Sequence, residues 1–155
     1  MKQKPKHVYG VILLWIIIAL LFLGLITTRT MDFFDYYDSF SEFGSMEGSI
    51  SNLMTFSYIT YIILFIVIVV LSFLMAYSAI FSKGRLWLPS VIVASFLGFF
   101  MFQALYILGM SLIRNNVGEI FENFESVTYI LLLIFVPVLL FLLTRPVVES
   151  YYLNN

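Results

Sequence analysis

The chain contains no cysteine, which excludes disulfides, thiol redox chemistry and thiolate metal sites together. It has one histidine, His7, in the N-terminal tail, so paired-histidine haem ligation and a Ser-His catalytic pair lack their parts. There is no phosphate-cradling glycine loop. Charged residues make up only 11% of the chain, and no basic patch is large enough to track a nucleic-acid backbone. Where charge is missing matters more than how little there is. The stretches 7–28, 48–82, 86–113 and 126–144 contain no Asp, Glu, Lys or Arg.

What remains is strongly apolar. The 155 residues are 62% hydrophobic, with a mean hydropathy of +1.03, against roughly 45–50% apolar for soluble domains. Each charge-free stretch matches or exceeds the ~20 residues a helix needs to cross a bilayer. The predicted fold is an all-α integral membrane protein, a single four-transmembrane-helix bundle over 1–155. Its spans fall at about 8–27, 52–81, 86–112 and 127–144, with outer loops at 28–51 and 113–126 and an inner loop at 82–85. The spans use most of the length and leave no room for a separate soluble domain.

The basic N-terminus followed by an apolar run resembles a secretory signal. The apolar stretch from Val8 to Ile26 is longer than a signal core of about 7–15 residues, and Thr27-Thr28-Arg29-Thr30 offers no small-x-small cleavage pattern. The expectation is an uncleaved signal anchor that stays as the first span.

The charges are sorted by side. Lys2, Lys4, Lys6, Lys83, Arg85 and Arg145 fall on one side, opposed there only by Glu149. The other side carries Arg29 and Arg114 among eight acids: Asp32, Asp35, Asp38, Glu42, Glu47, Glu119, Glu122 and Glu125. Lysine and arginine set orientation, and six against two predicts N and C termini cytoplasmic, with the chain forming two in-out-in hairpins in the plasma membrane.

Both outer segments place an acid at every third position among aromatic residues. In a helix this spacing draws a drifting acidic stripe with rings on the remaining faces, as suits a segment lying in the headgroup zone. The calcium-loop pattern of alternating ligands around a turn glycine is absent. Gly44 to Ser49 reads as a flexible connector. Ser51 or Asn52 is positioned to cap span two. Pro89 falls in the first turn of span three, where a missing N–H costs little. Pro137 lies in the middle of span four, where it should kink the helix. Tyr151 and Tyr152 are expected to rest on the membrane surface.

Span three carries the most pattern. Ser90, Ala94 and Gly98 recur at four-residue intervals and form a small face that lets another helix approach closely. Ser95, Gln103 and Tyr106 lie on a second face, and Val93, Phe96, Phe100, Ala104 and Ile107 form a third, apolar one, as expected of the central helix of the bundle. Gln103 is the one strongly polar side chain near the middle of a span. With Tyr58, Tyr61, Tyr106, Tyr129, Arg29 and Arg114 it forms a candidate polar pocket near the outer face, suited to an anionic headgroup or small ligand. The alternative is an aromatic belt with one structural glutamine.

No carboxylate or lysine lies within a predicted span, whereas proton- and sodium-coupled transporters normally place one there. Small four-span drug exporters are similar in length but depend on a membrane-embedded Glu that these spans lack. The expected function is therefore non-enzymatic, with no catalytic residue, metal or cofactor. The chain is expected to act through protein contacts as an accessory, assembly or regulatory subunit in the bilayer, with another membrane protein or itself as partner. The alternatives are a small homo-oligomeric transporter or channel, and a lipid-headgroup-binding protein using Arg29 and Arg114.

Overall fold

The computed structural model describes residues 5–42, 48–81, 86–113 and 123–153. Those residues form six helices and no strand: α1 (Lys6–Glu42), α2 (Gly48–Phe81), α3 (Trp87–Leu97), α4 (Phe99–Ile113), α5 (Phe124–Leu143) and α6 (Pro146–Leu153). Four stretches, Lys6–Asp38, Thr55–Phe81, Trp87–Met110 and Phe124–Leu143, are long and apolar enough to cross a membrane. These are the dimensions of a multi-pass membrane protein with a helical bundle.

The region expected as an outer loop at 28–51 is helical to Glu42 and again from Gly48, so α1 runs for 37 residues. The sequence contains no Gly or Pro between Gly24 and Gly44 to stop it. Its threonines do not break it either. The hydroxyls of Thr27, Thr28 and Thr30 donate to the carbonyls of Leu23, Gly24 and Ile26 at 3.1, 3.2 and 2.7 Å, each one turn back. At 1.5 Å per residue α1 is about 55 Å long, well beyond a ~30 Å hydrocarbon core. The aromatic-acidic segment therefore continues span one instead of forming a separate surface segment. Ser51 and Asn52 lie inside α2, which begins at Gly48. The connector around Gly44 and the loop expected at 82–85 lie outside the described residues.

Span three is two helices. Gly98 separates α3 from α4, its N–H bonding the Ser95 carbonyl at 3.0 Å in a tighter turn than the α-helical pattern. Glycine has the weakest helix preference of any residue here except proline. Span four starts earlier than the charge pattern predicts. Asn123 caps α5, its side-chain oxygen accepting the Glu125 N–H at 2.9 Å, which brings Phe124 and Glu125 into the first turn.

The bundle is organised around α1 and α5, not around span three. α1 packs against α2 on one side and α5 on the other, and α5 also receives α3 and α4. One seam of α1 is wholly enclosed: Val8, Val11, Trp15, Ile18, Phe22 and Leu25, at alternating steps of three and four residues. That is the spacing by which one helix keeps a single face toward its neighbours. Each span contributes one ring to a shared core. Phe22 meets Phe65 edge-on with centroids 5.4 Å apart and Phe100 at 5.2 Å, and Phe100 stacks on Tyr129 at 6.5 Å.

Tyr152, expected on a surface, is instead built into the fold. Pro146 opens α6, where its fixed φ suits the first helical position. Val148 and Tyr152 are fully buried against the bundle. Nearby, Trp87 Nε1 donates to the Leu143 carbonyl at 3.0 Å, joining the start of α3 to the last residue of α5.

Candidate polar site at the end of the bundle away from the termini

The residues expected to form a polar pocket separate into two groups. Arg29, Tyr58, Tyr61 and Tyr129 come together at the end of the bundle away from the termini. Gln103 and Tyr106 do not join them. Both are exposed on the outward face of α4, and Tyr106 is 66% exposed. The side of span three that faces the bundle carries Ser90, Ala94, Leu97, Phe100 and Ala104. Arg114 lies outside the described residues.

Arg29 is the centre of the polar group. Its guanidinium forms a hydrogen-bonded ion pair with Glu125 across the α1–α5 contact, and the side chains are only 24% and 16% exposed. Asp32, one turn along α1, lies 3.9 Å from the same guanidinium. The guanidinium carbon also sits 5.8 Å from the Tyr61 ring centroid, within cation–π range. Tyr129 interacts with both members of the ion pair. Its ring is buried one helical turn below Glu125, where i and i+4 share a face.

Glu125 is the member of this site that the charge pattern does not reveal, because it appears there as one of a stripe of solvated acids. The usable signal is Asn123. As a helix cap it fixes the start of α5 and sets Glu125 and Tyr129 on one face.

Beside the ion pair is an open cleft of about 240 Å³ lined by Arg29, Ser57, Tyr58 and Tyr61. Tyr58 belongs to an aromatic group on the α1–α2 contact, with ring centroids 6.1 Å from Phe33 and 5.9 Å from Tyr36. One guanidinium faces two carboxylates here, so the arrangement has no surplus positive charge for an anion. Its evident physical work is to hold spans one and four together. An ion pair in a poorly solvated place is strongly disrupted when one partner is removed. Among the described residues, no three His, Asp or Glu side chains gather closely enough to hold a metal ion.

Ser90 and Ala94 face the end of the bundle that carries the termini. Ser90 Oγ donates to the Leu86 carbonyl at 2.7 Å and lies 3.0 Å from the Met75 sulfur of α2. The Ser78 hydroxyl donates to the Met75 carbonyl at 2.8 Å. The Tyr152 hydroxyl sits near Ser78 and Ser90 without a hydrogen bond of normal geometry. The small residues of α3 thus make room for α5 and α6, with the Ser90–Met75 contact reaching α2. Gly98 does not extend this face, because it forms the turn that ends α3.

Comparison with protein-family models, with curated proteins and with solved structures finds no match.

Proposed function

We propose that this chain is a non-enzymatic, multi-pass plasma-membrane protein that acts through protein contacts, as an accessory, assembly or regulatory subunit of a membrane complex. Both termini face the cytoplasm in this reading, as the lysine and arginine distribution favours. The observation that carries the proposal is the overhang of α1. From Arg29, which pairs with the first turn of α5, α1 continues thirteen residues to Glu42. That is about 20 Å beyond the level where α5 begins. Met31, Phe34 and Tyr37 on this extension, and Phe56 on the paired part of α2, are each at least 58% exposed. Clustered apolar side chains on a projecting segment are the usual mark of a contact surface.

The alternatives have less support. Gln103 and Tyr106 face away from the bundle, so a transport path using them would have to run between copies, and the bundle's interior, apolar among the described residues save for a few hydroxyls, does not continue it. Arg29 is committed to Glu125 and Asp32, which weakens its case as a headgroup ligand.

Purification in mild detergent tests the proposal. A partner should copurify in fixed stoichiometry, and Phe34→Ser with Phe56→Ser should release it while the bundle stays folded. Isolation of the chain alone under those conditions would count against the reading. So would substrate flux in proteoliposomes containing nothing else.

A further inference from the structure

We infer that two copies of this chain pair in the membrane through the outward face of span three, with Gln103 of one copy hydrogen-bonded to Gln103 of the other. Ile92, Phe96, Phe99, Gln103 and Tyr106 recur at alternating steps of four and three residues, and every one is exposed. This is the seam spacing of two helices packed along their length, carried here across the Gly98 turn from α3, with Ile92 and Phe96, to α4, with Phe99, Gln103 and Tyr106. It lies opposite the side that faces the bundle, where Ser90, Ala94, Leu97 and Ala104 are buried. Span three therefore has two packing faces, and the chain itself fills only one.

Gln103 decides what covers the other. It lies sixteen residues from Trp87, about 24 Å along the helix axis, short of the far edge of a ~30 Å core. Among the described residues no hydrogen bond reaches its carboxamide. In hydrocarbon an unpaired amide is costly, and lipid chains offer it no partner. A second copy does. Both copies insert with the same orientation, so a two-fold axis along the membrane normal sets their third spans parallel, and each seam residue then meets its own counterpart. A carboxamide has both donor and acceptor groups, so it can pair with its own copy. Phe99 and Tyr106, one turn to either side, would pack around that pair and keep water out.

This pairing uses a different surface from the α1–α2 overhang and does not depend on the accessory-subunit reading. It is tested on the purified chain alone, so the two can fail separately. The absence of cysteine makes single introduced thiols unambiguous reporters. In proteoliposomes, Phe99→Cys should oxidise to a covalent dimer, whereas Leu20→Cys, on an exposed face of α1, should not. Across a lipid-dilution series, Gln103→Leu should weaken the dimer about tenfold. Gln103→Asn, which keeps a carboxamide, should retain part of the affinity. Because position 103 is exposed within the chain, Gln103→Leu should leave the helical content and thermal unfolding of the monomer unchanged. The inference is overturned by a wild-type chain that stays monomeric through the series, or by Gln103→Leu dimerising as wild type does. Equal crosslinking from Leu20→Cys would also overturn it, as would Phe99→Cys joining a different protein in native membranes instead of itself.

Discussion

Gly24 on α1 and the ring of Phe124 on α5 fit together only because Gly24 has no side chain: a Cβ there would lie 2.5 Å from the ring. About one turn from the start of the same helix, a Cβ on Gly10 would lie 3.1 Å from Leu142. Glycines thus mark both ends of the α1–α5 contact, and the small-residue approach expected of span three also operates on span one.

Gly24→Ala should lower thermal stability in detergent by about 1 kcal/mol relative to Gly109→Ala, the low end of the overpacking range, because half-exposed Phe124 can swing its ring tip aside. Gly109→Ala is the control. A Cβ there meets nothing within 4 Å, so the change should be neutral or slightly stabilising. Equal losses from the two variants would refute the close-contact account.

The Arg29–Glu125 pair should be non-additive. Arg29→Gln and Glu125→Gln should each cost about 1–3 kcal/mol, and the double variant should cost clearly less than their sum. A thermal-unfolding double-mutant cycle measures the coupling. Additive losses would mean that the two side chains act independently.

Adjacent aromatic residues on α4 should behave in opposite ways. Phe100 is 5% exposed and touches rings from the other three spans, whereas Phe102 is 70% exposed. Phe100→Ala should cost on the order of 3 kcal/mol through the cavity it leaves, and Phe102→Ala much less. Chemical or thermal unfolding in one detergent decides the comparison.

Tyr152 should give the fold a sensitivity to high pH. Burial pushes its phenol up to about 12 from an ordinary value of 10.0. Below that ordinary value both folded and unfolded chains keep the proton, and the contribution is fully present. As pH rises through the interval, the unfolded chain releases a proton that the folded chain retains, so stability falls. Tyr152→Phe should flatten this part of the pH profile. It should cost under about 1 kcal/mol at neutral pH, since the hydroxyl has no hydrogen bond to lose. Identical alkaline profiles for the two proteins would refute the assignment.

The four spans were legible in the sequence because charge is excluded from them. Their buried faces were not, because nearly every face is apolar and periodicity loses its contrast. Val11 and Leu13 look equivalent in sequence, yet Val11 is enclosed and Leu13 exposed. Gln103 misled for the same reason. Its polarity suggested an interior position, while the buried side of span three is set by small residues and by Phe100. The length of α1 could have been inferred from the missing Gly and Pro after Gly24, but the acids at 32, 35 and 38 suggested a loop. The burial of α6 left no local signal, since Tyr151 and Tyr152 are as suited to a membrane surface as to a core. Only the packing distinguishes them.

The ion pair joins residues 96 positions apart in the chain. Spans enter a membrane in order as they are synthesised, so Arg29 arrives long before Glu125. Until the fourth span is inserted, the first carries a cation whose nearest carboxylate is Asp32 on its own helix. A chain truncated after span three would retain that mismatch permanently. The finished protein encloses most of that charge beside Glu125, so the order in which the spans are made sets when the first span can reach its final packing.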